Sequence, residues 1–235
     1  MKRLLLLALI ITLFVRCKKE DAIKYTLNKD EVTSIAGGSF QLSITGATTE
    51  IFTYSSDNSL IASIDANGLI KGKRVGETTI KVSGNNFNGV CKVSISPLYN
   101  TFKEPITSFG ISKSAVKAKE TRTLVNEIDG ALLFNGGTQE KYVMYVFEND
   151  KLTTSTIIIS SSYSSVLGSY LAERYVIVSL SPVLGYSTDN KFAVGTDLQS
   201  NLDWWVMYFP YTVSKSKSAL IKAKALQFKS IVKNM

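Results

Sequence analysis

The sequence contains no histidine among its 235 residues and only two cysteines. Histidine is the usual general base beside a serine or cysteine nucleophile and the commonest zinc ligand. Its absence therefore excludes Ser-His-Asp and Cys-His catalytic centres. Cys91 lies in the strand-like stretch Val90-Cys91-Lys92-Val93. We expect it to be a small buried hydrophobic residue rather than a reactive thiol.

Other chemical signatures are missing as well. No Gly-rich phosphate loop of the Walker type, no cluster of metal ligands and no Asp-x-Asp-x-Asp-Gly calcium loop occurs. We therefore predict no cofactor, no metal and no enzymatic activity. One alternative stays open: two of the carboxylates of Asp197, Asp203, Glu148 and Asp150 could pair as in a glycoside hydrolase, which requires a separation that spacing does not fix.

The formal net charge of +8 is concentrated at the two ends of the chain. Residues 1–16 contribute +3, residues 215–235 contribute six lysines, and residues 17–214 carry 18 basic against 19 acidic side chains. A nucleic-acid-binding domain carries its lysines and arginines as a patch over its folded surface. We therefore do not expect nucleic acid as a partner.

The one long apolar run is Leu4 to Val15, which follows Met1-Lys2-Arg3 and is interrupted only by Thr12. Twelve helical residues extend about 18 Å, which is too short for a hydrocarbon core of about 30 Å. Residues 1–16 are therefore predicted to be a signal peptide rather than a membrane span.

The junction Leu13-Phe14-Val15-Arg16-Cys17 resembles the lipobox of bacterial lipoproteins, in which the cysteine becomes the lipidated first residue. The resemblance implies a lipid on Cys17 and leaves Cys91 without a disulfide partner. Because Arg16 occupies a position where the family has a small residue, a secretory leader without lipidation is the alternative. The following Lys18-Lys19-Glu20-Asp21 resembles the charged signal of Bacteroidetes lipoproteins that reach the outer face of the outer membrane. We therefore expect residues 17–21 to be a lipid anchor and charged tether.

Residues 22–97 show the period-two pattern of short, half-buried antiparallel strands. The stretches 40–44, 78–82 and 90–95 alternate apolar and polar residues and are rich in β-branched types. Asn67-Gly68 predicts a type I′ hairpin turn, because both residues tolerate positive φ. Asp57 and Asp65 are expected to cap turns rather than to bind metal.

Residues 54–82 closely resemble the group 2 bacterial immunoglobulin-like (BIG2) domain. The resemblance is carried by Ser55-Ser56-Asp57-Asn58, Ala62-Ser63-Ile64-Asp65, Ala66-Asn67-Gly68-Leu69-Ile70 and Gly76-Glu77-Thr78-Thr79-Ile80-Lys81-Val82. It implies a β-sandwich module of the kind found in surface proteins and adhesins, where it often serves as a spacer.

A linker at residues 98–107, bounded by Pro97 and Pro105, leads to a second domain at residues 108–235. A helix is predicted from a Ser112 cap to about Val125, with Ile111 packing on Val116. A second helix is predicted from the apolar stripe Tyr163, Val166, Leu167, Tyr170 and Leu171. Strands are predicted at 140–148, 151–160, 176–180, 191–198 and 203–211, and a closing basic helix from about Lys215.

This order of helix, three strands, helix, three strands suggests a structural duplication. It is topologically similar to the beta-lactamase-inhibitor-protein-like family, whose curved sheet binds protein partners. The predicted fold class is thus a two-domain chain: an all-β immunoglobulin-like sandwich, then an α+β domain with an antiparallel sheet and about three helices.

The run Trp204-Trp205-Val206-Met207-Tyr208-Phe209-Pro210-Tyr211 is the candidate binding segment. If one face of this strand is open, Trp204, Trp205, Tyr208 and Tyr211 could stack on sugar rings or form a protein hot spot. A central strand buried on both faces, like the similar run Tyr142 to Phe147, explains the same pattern without function. The six lysines of the terminal helix indicate a solvated face or contact with anionic lipid or polysaccharide.

The leading hypothesis is a non-catalytic binding or adhesion lipoprotein on the outer membrane, with the membrane as one partner and a glycan or surface protein as the other. In that arrangement the immunoglobulin-like module is a spacer for the second domain. A structural or assembly component of the envelope is the alternative.

Overall fold

The computed structural model describes residues 24–46, 50–210, 226, 227, 230 and 231. The predicted signal peptide, Cys17 and the charged tether lie outside these residues, and so do Tyr211 and most of the predicted terminal helix. Among the described residues, no helix is both long enough and apolar enough to cross a bilayer.

The first domain is a β-sandwich. One sheet has the order β2-β9-β8-β5, a second has the order β3-β7-β6, and β1 pairs with β4. Its strands are β1 (Thr26–Leu27), β2 (Glu31–Ile35), β3 (Ser39–Gln41), β4 (Ile44–Thr45), β5 (Thr53–Ser56), β6 (Ala62–Ile64), β7 (Leu69–Gly72), β8 (Gly76–Ser83) and β9 (Asn88–Ser96).

The core of the sandwich follows the alternation seen in the sequence. Ile80 and Val82 of β8 and Cys91, Val93 and Ile95 of β9 are all buried, while the residues between them are more exposed. Cys91 has no exposed surface, and burial raises the pKa of its thiol. The thiol therefore lies in the core, as expected.

The predicted strand 40–44 is interrupted. The Asn28 amide donates to the Gln41 carbonyl and accepts from the Ser43 N–H, at 3.0 and 2.9 Å. These bonds replace strand pairing there, so the segment forms the two short strands β3 and β4.

The turn between β6 and β7 also differs from the prediction. Gly68 has a φ of +81°, but Asn67 is not in the left-handed region, so the turn is not type I′. Asp65 explains the difference, because its carboxylate accepts the N–H groups of Asn67 and Leu69, both at 2.9 Å. Asp65 thus caps the turn as expected, whereas Asp57 forms an ion pair with Lys81 at 2.5 Å.

The second domain is built mainly on one antiparallel eight-stranded sheet with the order β10-β11-β12-β13-β17-β16-β15-β14. Two α-helices are described, each preceding four strands. The elements are α1 (Lys113–Lys119), β10 (Leu124–Ile128), β11 (Ala131–Asn135), β12 (Glu140–Glu148), β13 (Lys151–Ser160), a 3₁₀ turn (Ser161–Tyr163), α2 (Ser164–Ala172), β14 (Val176–Leu180), β15 (Val183–Tyr186), β16 (Phe192–Leu198) and β17 (Asp203–Pro210).

The predicted duplication appears as two units of one helix and four strands rather than three. The last strands of the two units, β13 and β17, pair at the centre of the sheet, and the first strands, β10 and β14, form its edges. The predicted α+β domain is therefore corrected to a mainly β domain: α1 and α2 are described in full, and residues 226, 227, 230 and 231 are helical within the predicted terminal helix. Strand β15 is not among the strands predicted from the sequence. This strand has only four residues, follows Pro182 and contains Gly185, so it shows little periodic pattern.

Helix α1 begins where predicted and ends earlier. The Ser112 side chain accepts the Ala115 N–H at 3.2 Å, and Ile111 and Val116 pack in one cluster. The helix was predicted to reach about Val125 but ends at Lys119, because Glu120 is extended and the chain then enters β10.

The sheet of the second domain is buried on both faces. On the helix face, α2 places Leu167, Tyr170 and Leu171 on the central strands, while α1 contributes Val116. We call the opposite side the back face; it carries Trp205, Met207 and Phe209 with neighbouring apolar residues, and Ile231 packs against it.

The linker predicted at residues 98–107 is packed against the second domain. Phe102 is 4% exposed and makes edge-to-face contacts with Tyr163 and Tyr170. The backbone of Ile106 donates to the Tyr145 hydroxyl and accepts from the Ser155 hydroxyl, at 3.1 and 2.6 Å. The segment therefore does not act as a free tether.

Candidate binding surface

The strand that carries the candidate aromatic residues is β17, which lies between β13 and β16. Tyr208 has no exposed surface and Trp205 is 7% exposed. Tyr208 packs on the helix face and Trp205 on the back face. The structure therefore places these two rings in the core, as the alternative of a doubly buried central strand requires. They form no open platform, because neighbouring strands and α2 cover the helix face and Ile231 packs on the back face.

Trp204 is the candidate residue that keeps access to solvent. It lies at the start of β17, is partly buried, and pairs across the strands with Leu198. Its indole N–H donates to the Ser164 hydroxyl at 2.8 Å. This bond fixes the ring beside the beginning of α2, so the indole is held in one orientation.

Two exposed leucines lie next to Trp204. Leu198 ends β16 and is 47% exposed, and Leu202 lies in the β16–β17 turn and is 62% exposed. Leu202 also has a φ of +61°, a conformation that costs a bulky residue on the order of 1–3 kcal/mol. The turn holds it there: the Leu202 N–H donates to Gln199, and its carbonyl accepts the Ser161 N–H. We call Leu198, Leu202 and Trp204 the distal patch.

Polar groups at the same end of the sheet bond with each other on the opposite, back face. Asp203 is 5% exposed, and its carboxylate accepts from Lys141 at 2.6 Å and from Asn201 at 3.0 Å. The Gln199 amide donates to Asp197 at 2.6 Å. Because Asp197 and Asp203 alternate with Leu198 and Trp204 along β16 and β17, these bonds hold the end of the sheet from behind the distal patch.

The distal patch lies at the end of the second domain that faces away from the first. Thr188, four residues before β16, accepts a hydrogen bond from Asn58 of the first domain at 3.1 Å. From there β16 runs its seven residues, about 23 Å at strand spacing, before reaching Leu198. The distal patch therefore lies at the end of the second domain that is far from the first domain.

The carboxylates considered for hydrolysis have structural partners. Asp203 accepts from Lys141 and Asn201, and Asp197 accepts from Gln199. Asp150 accepts the Lys113 N–H at 3.0 Å, and Glu148 accepts from Gln227 at 2.8 Å. In the part of the chain that the structure describes, no group of three or more acidic or cysteine residues could hold a metal ion.

A buried polar cluster was missed by sequence reasoning. Glu120 and Arg122, with side chains 3% and 7% exposed, form an ion pair at 3.0 Å, and the Tyr145 hydroxyl donates to Glu120. Burial raises the pKa of Tyr145, so its phenol stays protonated and acts as a donor. Glutamate and arginine are mostly exposed in proteins, and only the tertiary structure covers Glu120 and Arg122.

Comparison with known proteins identifies the first domain. Residues 23–94 match the family described as bacterial Ig-like domain (group 2). The first domain is a group 2 bacterial Ig-like domain. This confirms the resemblance carried by residues 54–82.

Whole-chain comparisons are less informative. No curated protein matches the chain. Domains 4–9 of the surface layer protein SbsC align with 82% of this chain at 12% identity and a TM-score of 0.27, and the chain spans 27% of that structure. Domains 5–6 of SbsC align with 82% of this chain, which covers 85% of them, at 11% identity and a TM-score of 0.26. A quinonprotein alcohol dehydrogenase-like protein from Bacteroides thetaiotaomicron aligns with 74% of this chain, which covers 46% of it, at 10% identity and a TM-score of 0.24. Scores this low carry no conclusion about the fold or function of this chain.

Proposed function

We propose that the protein is an outer-membrane lipoprotein exposed on the cell surface, where it acts as a non-catalytic binding or adhesion protein. The Ig-like domain serves as a spacer from the lipid on Cys17, and the second domain contacts a glycan or a surface protein through the distal patch.

The observation that carries this proposal is that the start of the described chain and the contact with the second domain lie at opposite ends of the Ig-like domain. Tyr25, close to the start of the described chain, packs on Phe52 and Phe87 at one end of the sandwich. The contacts with the second domain come from Arg74 and Val75 at the other end. Strand β8 spans the eight residues between these ends, about 27 Å. An anchor before Tyr25 would therefore place the second domain far from the membrane.

Hydrogen bonds between the two domains hold the second domain at this distance. The Val75 N–H donates to the Glu173 carbonyl at 2.7 Å, and the Arg74 guanidinium donates to the Tyr175 carbonyl at 3.0 Å. The Glu173 carboxylate also accepts the N–H groups of Leu98 and Tyr99, at 2.9 and 3.0 Å. These bonds fix the start of the linker as well as the contact between the domains. The Ig-like domain and the second domain are therefore expected to move as one body.

The test of the anchor uses the source cells. Growth with labelled palmitate is expected to label the protein, and Cys17→Ala is expected to abolish the label, whereas Cys91→Ala keeps it. Added protease is expected to degrade the wild-type protein on intact cells. An unlabelled wild-type protein, or one protected from protease, contradicts the proposal.

The test of the distal patch compares exposed sites. Leu202→Ser and Trp204→Ala are expected to reduce binding to a glycan array or to intact cells at least tenfold. Val178→Ser, at an edge-strand position that is 46% exposed, is the matched control and should bind normally. Equal binding by all three variants contradicts a role for the patch.

Strand β14 favours a second candidate, a structural or assembly role. Within the described residues it is an edge of the sheet with no strand beyond it; it carries no charged residue, and Val178 and Leu180 are 46% and 82% exposed. Such an edge can accept a strand from another protein. In that case Val178→Ser abolishes cross-linking to neighbouring proteins in intact cells while Trp204→Ala leaves it unchanged.

A further inference from the structure

Three aromatic rings meet at the end of the Ig-like domain where the described chain begins. Tyr25 and Phe52 have ring centroids 5.5 Å apart, Tyr25 and Phe87 are 6.0 Å apart, and Phe52 and Phe87 are 6.1 Å apart. All three rings are only partly buried. We call this group the aromatic end of the domain.

The surface around the aromatic end exposes further apolar area. Ile51, next to Phe52, is 87% exposed, and Val90 is 58% exposed. A shallow cleft of about 570 Å³ lies beside the rings and is lined by Tyr25, Phe87 and Val90 together with polar residues. Isoleucine is usually buried in a folded domain, so this concentration of apolar surface indicates a contact.

The polar groups at the aromatic end suit a boundary between water and lipid. The Tyr25 hydroxyl and the Asn86 N–H both hydrogen-bond Glu50, the latter at 3.0 Å, so this carboxylate has its partners within the domain. Lys24 and Lys29 are exposed at the same end. Aromatic rings with a polar tip, flanked by lysines, are typical of the membrane interface.

The distance to the proposed anchor allows this contact. Six residues, 18–23, separate Cys17 from Lys24. Fully extended, they span at most about 20–22 Å. The headgroup layer on each side of a bilayer is about 5–8 Å thick, so the aromatic end is within reach of the lipid.

We propose that the aromatic end, through Tyr25, Ile51, Phe52 and Phe87, inserts into the headgroup and upper acyl region of the membrane that holds the lipid anchor. This inference rests on the proposed anchoring at Cys17. It adds a second attachment point, since a lipid chain alone leaves the orientation of the domain free. Two attachment points hold the Ig-like domain upright and direct the distal patch away from the membrane.

The experiment uses the full-length lipidated protein in vesicles of phosphatidylethanolamine and phosphatidylglycerol with brominated acyl chains. An environment-sensitive fluorophore is attached at Ile51→Cys or, as the matched control, at Leu180→Cys. Both positions are more than 80% exposed, so neither substitution threatens folding. Cys91 stays unlabelled because it is buried.

Flotation with the vesicles first establishes anchoring. The fluorophore at position 51 is then expected to be quenched at least threefold more than that at position 180, and its emission to shift to the blue. A floating protein with equal quenching at both positions overturns this inference but leaves the anchor intact. A protein that does not float overturns the anchor and this inference together.

Discussion

At the scale of single residues, the ionised Glu120 is a buried charge with several donors. Burial favours its neutral form, but the bonds from Tyr145, the Arg122 backbone and guanidinium, and the Thr121 N–H together hold the pKa of Glu120 below its usual value of 4.5. The stabilisation from this charge is therefore present above about pH 4.5 and is lost as the pH falls through the lowered pKa.

Glu120→Gln is expected to lower the free energy of unfolding by about 3 kcal/mol at pH 7, because it leaves Arg122 buried without its charged partner. The difference from wild type should shrink as the pH falls through the lowered pKa of Glu120, because the wild-type carboxyl then takes up a proton. Urea denaturation between pH 3 and pH 7 measures both effects. Exposed Glu127, which pairs with Lys117 at 2.7 Å, gives the control variant Glu127→Gln with a much smaller change. A Glu120→Gln deficit that does not vary with pH would contradict this reading.

The two neighbouring tryptophans differ in burial, and their variants should differ in stability. Trp205→Ala is expected to cost about 3–5 kcal/mol of unfolding free energy, since it leaves a cavity in the back-face cluster. Trp204→Ala should cost clearly less, because its ring is only partly buried: it loses one hydrogen bond and part of its packing on the helix-face cluster. Denaturation at constant pH measures the pair, and equal losses would mean that both rings are core residues.

At the scale of elements, the turn between β6 and β7 depends on a glycine. Gly68 has a φ of +81°, and a Cβ built there would lie 2.4 Å from the Leu42 carbonyl oxygen. The Leu42 N–H in turn donates to the Gly68 carbonyl at 2.9 Å. The glycine therefore joins the turn to the neighbouring segment by close backbone contact.

Gly68→Ala is thus expected to lower the free energy of unfolding by at least about 1–3 kcal/mol. Gly130, in the turn between β10 and β11, is the matched control: a Cβ there meets only the Phe147 carbonyl oxygen, at 3.7 Å. Gly130→Ala should change stability little. Thermal denaturation compares the two, and a Gly68→Ala protein as stable as Gly130→Ala would refute the close contact.

At the scale of the whole molecule, Glu173 joins the two domains. Its side chain is 5% exposed and pairs with Arg174, and its carboxylate holds the N–H groups of Leu98 and Tyr99. Its own carbonyl accepts from Val75 of the Ig-like domain. Glu173 thereby connects the Ig-like domain, the linker and the end of α2.

Glu173→Ala is expected to uncouple the domains, because the crossover N–H groups and Arg174 lose their acceptor. Calorimetry of the wild-type protein should show one cooperative transition, and the variant should show two. Glu77→Ala, at an exposed position in β8, is the control and should keep one transition. A single transition in Glu173→Ala would mean that the remaining contacts suffice.

The sequence by itself determined the Ig-like domain, because its strands alternate with period two and its turns carry Asp65 and Gly68 at the required spacing. It also determined the boundaries of β12, β13 and β14 and the Ser112 cap, since these depend on neighbouring residues. Tertiary structure decided the rest. Trp205 and Tyr208 are core residues because β17 lies at the centre of an eight-stranded sheet, a position that no local pattern encodes. Trp204 is held at the surface because the fold brings Ser164 of α2, forty residues away in the chain, within hydrogen-bond distance of its indole.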